Sequence, residues 1–364
     1  MWVLMSSSEV HTKHKWPDTT INTGYLLLLV AGVAVLFLGN IALGSVSIPI
    51  GDIINILFRG ESDNAAWVKI IENIRIPRAF TAILAGSALS VGGLLMQTLF
   101  RNPLAGPSVL GITAGASLGV AIVMLTAGTI TSIFAIQQLG SLGSWMIIVA
   151  ASIGSAAVLL LILLISMRIR DSVTLLIIGL MIGNMTIALV SIWQYFSNPE
   201  QIRDYLIWTF GSLGGVTSGQ LWLLTPVVVV GSFIAFGLSK NLNGMLLGEN
   251  YARSMGLSVQ RSRIWIILST SLLAGGVTAF CGPIGFVGVA VPHLTRSLLN
   301  TNEHRILIPA TFLMGAMLML ACDIVAQVPG SSTTLPISAV TSMVGSPVVI
   351  WVIIKRKNLQ ASFS

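Results

Sequence analysis

The sequence predicts an all-α integral membrane protein of ten transmembrane helices, and three observations carry that expectation. Of 364 residues, 54% are hydrophobic and only 9% charged, 19 basic and 12 acidic, with a mean hydropathy of +0.91. Ordinary soluble domains carry about 25% charged residues. This chain has too little charge to cover a water-facing surface, which excludes a soluble enzyme. The charged residues also separate apolar runs long enough to cross a bilayer, a crossing that takes ~20 residues. Finally, the basic residues favour alternate loops, as the positive-inside rule requires of a polytopic protein.

Eight long intervals carry no charge: Thr19 to Gly51, Ala79 to Phe100, Asn102 to Met167, Ser172 to Pro199, Tyr205 to Ser239, Ile264 to Thr295, Ile306 to Cys322 and Ile324 to Ile354. The third is 66 residues long, is broken by polar, Gly-rich sequence around Gln137, Gln138 and Gly140, and must hold two helices. The sixth holds a full span from Ile264 to about Phe280, then Cys281-Gly282-Pro283, then a short apolar stretch ending at Pro292. That makes ten spans, the eighth short. An even number puts both termini on one side. With the N-terminus inside, fourteen of the nineteen basic residues are cytoplasmic, and Arg59, Lys69, Arg75, Arg78 and Arg203 stay outside. The excess charge is scattered between apolar runs and forms no nucleic-acid face.

The polar residues 1–24, with Lys13 and Lys15, read as a mobile cytoplasmic segment, 25–354 as the transmembrane domain and 355–364 as a cytoplasmic tail. The run that starts at Tyr25 is longer than a signal peptide's apolar region and lacks a clean small-x-small cleavage site, so it reads as an uncleaved first span.

Gly111, Gly115 and Gly119 recur every fourth residue, as do Gly179 and Gly183 in the fifth span. Small residues at that spacing let membrane helices approach backbone to backbone, and glycine also lines wide pathways. After Arg101, the residues Asn102, Pro103, Leu104, Gly106 and Pro107 put irregular backbone at the inner end of the second span. Such backbone is tolerated at membrane depth only where protein or a water-filled cavity satisfies it. The stretch is therefore a simple cytoplasmic turn or a constriction lining a pathway.

Gly282, Pro283, Gly285 and Pro292 mark a second irregular element, because proline removes backbone donors and glycine leaves the chain permissive. His293, with no second ligand three or four residues on, reads as a structural histidine at a helix end. Asp323 alone looks embedded; an intramembrane carboxylate is a functional candidate by default, and its place near the outer end of the ninth span favours a structural hydrogen-bonding role. Cys281 and Cys322 lie in apolar runs and read as packing residues.

Lys240 to Arg263 is the only sizeable cytoplasmic loop. Leu246, Leu247, Tyr251 and Met255 keep helical spacing there and predict a short amphipathic helix, stopped by Gly256 and followed by a basic turn. Such a helix lies on the bilayer or docks into a partner. The chain has no Gly-x-x-x-x-Gly-Lys-Ser/Thr motif, so any ATP that drives it is hydrolysed by another subunit.

Four stretches together resemble the FecCD-type permease family, the membrane subunits of importers for iron chelates, haem and vitamin B12. They are Ile74 to Arg78, Met96-Gln97 through Asn102 and Pro107 to Gly111, Gly282 to His293, and Leu335-Pro336-Ile337 to Gly345-Ser346-Pro347-Val348. The resemblance runs from about residue 70 to the C-terminus. It implies the type II ABC importer permease architecture: a homodimer or close heterodimer around a central path in the bacterial cytoplasmic membrane, two ATPase subunits inside and an extracytoplasmic substrate-binding protein outside. Within it, 240–263 looks like the ATPase coupling loop, with Gly248, Glu249, Ala252, Gly256 and Leu257 in its pattern.

By the same resemblance, Arg75 and Arg78 look like the outer arginines that receive acidic residues of the binding protein, and Pro336 joins the Gly282–His293 motif as a structural element. A third outer arginine of the vitamin B12 subunit is Gln327 here, which weakens a cobalamin reading. The implied substrate is a metal chelate, foremost a ferric siderophore, with haem or cobalamin as alternatives. The chain itself is expected to hold no catalytic residue, cofactor or metal and to contact membrane lipid. An ion-coupled secondary transporter, the rival of a different class, would show buried carboxylates and broken helices in both halves. A membrane-embedded enzyme would show clustered His, Asp or Cys in its spans.

Overall fold

The computed structural model describes residues 19–60, 62, 64–130, 141–169, 171–328, 330 and 333–361, and among these every regular element is helical. In chain order they are α1 (Thr19–Ala42), α2 (Ile50–Arg59), α3 (Ala65–Ile70), α4 (Ile76–Leu99), α5 (Ile112–Ile130), α6 (Ser141–Arg168), α7 (Ser172–Tyr195) and α8 (Pro199–Thr209). There follow α9 (Ser218–Gly237), α10 (Ser239–Leu246), α11 (Glu249–Ser254), α12 (Val259–Cys281), α13 (Val287–Leu299), α14 (His304–Ala326) and α15 (Ile337–Ala361). The ten expected spans are α1, α4, α5, α6, α7, α9, α12, α13, α14 and α15, with α13 the short eighth. Among the described residues, seven helical stretches are long and apolar enough to cross a membrane.

Side-chain size sorts these helices between core and lipid. The α4 sequence is dominated by Ala, Gly and Ser on every face, and Ala79, Ala82, Ala85, Ala88, Ser87 and Ser90 are all buried. Small side chains let other backbones close around it, so α4 becomes the central rod, against α14, α12, α13 and α9. Helices α1, α6, α7 and α9 instead carry Leu, Ile, Val and Met all round, and many of these stay exposed: Leu27, Val35, Ile153, Leu164, Met181, Met185 and Phe233 among them. A helix apolar on every face with little protein around it faces lipid.

The expected glycine packing is present. Gly115 and Gly119 of α5 face Gly154 and Ala150 of α6 so closely that any Cβ would strike backbone, and Gly111 packs less tightly against Gly179 and Gly183 of α7. Cys281 and Cys322 are buried free thiols.

Several boundaries differ from expectation. The second span begins at Ala65 instead of near Pro77, because α3 runs into α4 through a π-helical turn, Ile71–Arg75. Pro77 has no N–H to give, and the wider turn before it absorbs the loss. The eighth span does not end at Pro292 but continues to Leu299. Pro292 withholds the amide that would bond the Gly288 carbonyl, and that carbonyl instead faces α4 at Gly93, where a side chain would collide. The Lys240–Arg263 loop holds two helices where one was expected, since Gly248 takes φ +108 between α10 and α11.

Helices α2 and α8 lie in loops that the charge intervals left irregular. The expected break around Gln137, Gln138 and Gly140 lies outside the described residues, as do Glu61 and residues 1–18 with Lys13 and Lys15. The helix α15 extends to Ala361, into the segment expected to be a tail.

Candidate functional site

Alternation of the helices puts two sets of loops at opposite ends. One end carries the segments after α1, α7, α12 and α14; the other carries those after α4, α6, α9 and α13. The candidate residues gather at both ends and in clefts between them.

At the first end, Asp323 is buried in the last turn of α14. Both its oxygens accept the Arg78 Nε at 3.0 Å, and Oδ1 also accepts Arg78 Nη2 at 2.8 Å. Asn40 of α1 and Gln327 each donate to Oδ2 at 2.8 Å. Four donor atoms from two helices and a helix end therefore surround one carboxylate, which is the structural role expected of it. The Arg78 side chain remains 17% exposed. Its other amino group lies beside Gly214, in an opening of about 230 Å³ walled by Phe210, Ser212, Thr334 and Pro336.

Arg75 takes a different part. It is 5% exposed, and its guanidinium donates to the carbonyls of Ile41 (2.6 Å), Ala42 (3.1 Å) and Val46, closing the C-terminus of α1. Those carbonyls have no helical partner of their own.

Two clefts flank α8. One, of about 400 Å³, is walled by Ser108 and Gly111, by Thr113 and Ser117 of α5, by Asn184, Ser191 and Gln194 of α7, and by Tyr205. The other, of about 470 Å³, is walled by Ser144, Asp204, Trp208, Gln220, Phe280 and Gly282. Gly282, Pro283 and Gly285 form the irregular backbone leading to α13. The Ser212 amide donates to the Cys281 carbonyl at 2.8 Å, the Gly282 amide to the Thr278 carbonyl at 3.0 Å and the Val287 amide to the Gly285 carbonyl at 2.8 Å, so these groups of the irregular backbone are satisfied by protein. Pro336 starts α15, its carbonyl accepting the Ala339 and Val340 amides.

Asn102, Pro103, Leu104, Gly106 and Pro107 form a compact turn that stops short of the first cleft. Asn102 Oδ1 accepts the Leu104 amide at 2.9 Å, and the Pro103 carbonyl accepts His293 Nε2–H at 2.7 Å. His293 is thereby a brace between α13 and this turn. The cleft wall begins one residue beyond the turn, at Ser108.

The second end holds the most buried charge. Arg263, in the first turns of α12, has no exposed surface. Its Nη2 donates to Glu249 Oε1 at 2.7 Å and to the Ser172 hydroxyl at 3.1 Å, and its Nη1 to the Ile169 carbonyl at 2.9 Å. Ser172 donates to the same Glu249 oxygen at 2.6 Å. Glu249 opens α11 and Ser172 opens α7, so one carboxylate ties the loop to α12 and to a cleft-lining helix. Asp171 caps α7; the Thr174 hydroxyl and amide it accepts hold its carboxyl below the usual carboxylate range.

Ala252 is buried beneath α11, its amide bonded to Gly248 O, while Leu257 N returns to Ala252 O. Gly256 ends the helix at φ +82, and Leu247, Tyr251 and Met255 point outward.

Over residues 29–355 the chain matches the FecCD transport family. The chain belongs to the FecCD transport family. This FecCD permease is 32% identical over 336 residues to the hemin transport system permease protein HmuU of Yersinia pestis, covering 92% of this chain and 96% of that protein. It is 34% identical over 300 residues to the vitamin B12 import system permease protein BtuC of Klebsiella pneumoniae, covering 82% and 86%. Its fold is similar to that of a solved inward-facing metal-chelate type ABC transporter, with a TM-score of 0.79 and 26% identity over 92% of this chain and 99% of that one. The FecCD chain is thus an ABC transporter permease and not an enzyme, with ATP hydrolysed by a separate subunit.

Sequence reading alone passed over several residues that hold this permease together. Gln97 of α4 accepts Arg296 at 2.6 Å and donates to the Val289 carbonyl. Asn243 of α10 accepts both the backbone and the ring Nδ1–H of His304. The visible signal of Gln97 is a polar residue in an apolar run, whereas Asn243 lies among other polar residues at the start of the 240–263 loop.

Proposed function

We propose that this permease is the membrane half of an ATP-driven importer for a metal chelate, with a ferric siderophore as the leading substrate. The observation that carries the reading is the Glu249 node: the loop at one end is bonded through a single carboxylate to α7, which lines a polar cleft. A separate ATPase pressing on Leu247, Tyr251 and Met255 moves α11, and Glu249 passes the motion to Ser172 and Arg263. The cleft changes shape without any chemistry in this chain.

The basic-residue bias sets the loop end inside the cytoplasm of a bacterial inner membrane, with both termini on that side. Two copies, or this chain and a close paralogue, face each other across α7 and join their clefts into one path. Two ATPase subunits sit at the loop end. An extracytoplasmic binding protein docks at the other end, where a carboxylate reaches the exposed edge of Arg78 in its opening, while Arg75 holds the surrounding backbone. The first cleft mixes the hydroxyls and amides of Ser108, Thr113, Asn184 and Gln194 with the apolar side chains of Val109, Leu180, Ile187 and Val190, a lining that suits a chelate with both polar and apolar surface.

Haem and cobalamin, the cargoes named for HmuU and BtuC, are the alternatives. Uptake into vesicles of radiolabelled ferric siderophore, haem and cobalamin, each with the chain's ATPase and binding-protein partners, decides among them. ATP-dependent accumulation of haem alone would replace the siderophore.

A further inference from the structure

A groove of about 370 Å³ runs between α9 and α14 on the lipid-facing side. Val229, Phe233 and Phe236 form one wall, and Pro309, Phe312 and Leu313 the other. Each wall leads toward a cation at the same end of the molecule, Arg305 in the first turn of α14 and Lys240 in the first turn of α10, just past the break at Leu238 that ends α9. Lys240 follows Phe236 by four residues, and Arg305 precedes Pro309 by four. Both are exposed, and neither has an acidic partner among the described residues. The elements that carry them are clamped to each other: Asn243 of α10, three residues beyond Lys240, donates to Glu303 Oε1 at 2.6 Å and accepts the His304 amide at 3.0 Å. Glu303, the nearest acid, is thereby engaged, also accepting the Arg305 amide.

We propose that this groove is a binding site for an anionic phospholipid. One acyl chain lies along Phe233, Phe236 and Phe312, and the phosphate sits between Lys240 and Arg305. An apolar trough ending in two unpaired cations is complementary to a lipid that joins an acyl chain to a negative headgroup, and to neither half of it alone. A zwitterionic lipid fills the trough but brings its own positive charge to the cations. The site is independent of the transported substrate; only the leaflet it faces rests on the orientation proposed above, which makes it the cytoplasmic one.

The test is native mass spectrometry of the full-length chain in detergent, titrated with phosphatidylglycerol or with phosphatidylcholine of the same acyl chains. The wild type should retain phosphatidylglycerol in preference. Lys240→Gln with Arg305→Gln should lower its phosphatidylglycerol affinity roughly twenty-fold, about fivefold per cation, and leave phosphatidylcholine unchanged. Lys240→Arg with Arg305→Lys should keep the preference, and Leu313→Trp, which fills the trough, should weaken both lipids. Thermal melting checks that each variant remains folded. Equal affinity of wild type and the Gln variant for phosphatidylglycerol would overturn the site, as would glycerol phosphate competing as well as the intact lipid. So would loss of ATPase association in the Gln variant with lipid binding intact, which would assign the cations to the protein partner.

Discussion

Asp323 shows how much depends on a single buried charge. Removing one partner of a buried pair leaves the other uncompensated, which is more costly than lacking both. Asp323→Asn should destabilise the chain by ~2–4 kcal/mol, read as a lowered unfolding midpoint in detergent. The partly exposed edge of Arg78 keeps the figure below that of a wholly enclosed pair. Arg78→Met with Asp323→Leu should recover only part of the loss, because Asn40 and Gln327 stay buried without their acceptor, and a double variant no better than Asp323→Asn would show that the charge pair contributes little beside those amides. The carboxylate was legible in the sequence as a lone charge in an apolar run. Its partners were not, because Asn40 and Arg78 lie 283 and 245 residues away and nothing local announces them. Arg75 and Arg78 read as equivalent from their spacing, yet one closes a helix end and the other meets a carboxylate. Only packing separates those roles.

At the scale of elements, close approach and capping decide what each helix can do. Gly119→Leu should force α5 from α6 and lower stability by ~3 kcal/mol, measurable by thermal unfolding; a variant as stable as wild type would mean that the interface is loose. The cap on α7 has a pH sign. Its hydrogen bonds depress the Asp171 carboxyl, so the stability they contribute is present above the ordinary carboxylate pKa and is lost as pH falls through the lowered one. The protection of the Thr174 amide, measured as exchange relative to its intrinsic rate at each pH, should therefore hold at neutral pH, fall only in strong acid, and be lost at every pH in Asp171→Ala. The fourfold glycine repeat made the α5 contact readable. The split of α10 from α11 was not readable, because helical spacing in Leu247, Tyr251 and Met255 survives a left-handed Gly248 between them. Pro292 misled for a related reason: its lost hydrogen bond is accommodated where Gly288 meets a glycine on α4.

For the molecule as a whole, ten spans were legible because lipid imposes a length on every crossing helix and charge marks each boundary. The clefts were not, since their walls come from α5, α7 and α8 and from segments far apart in the chain. Orientation follows from charge bias and is directly testable. In a background with Cys281 and Cys322 replaced, an impermeant thiol reagent applied from outside should label Asn198→Cys and spare Gly248→Cys; outside labelling at position 248 would reverse the topology. The central claim, that ATPase closure reaches the clefts through the 240–263 loop, is tested most directly by Gly256→Pro. Proline cannot adopt φ +82, and it lacks the amide that Gly256 gives to the Arg253 carbonyl at 2.9 Å. With the complex assembled in vesicles and shown to be folded, chelate uptake and ATP hydrolysis are measured together. The expected result is hydrolysis continuing while uptake falls at least tenfold, and normal coupled uptake by this variant would contradict the mechanism.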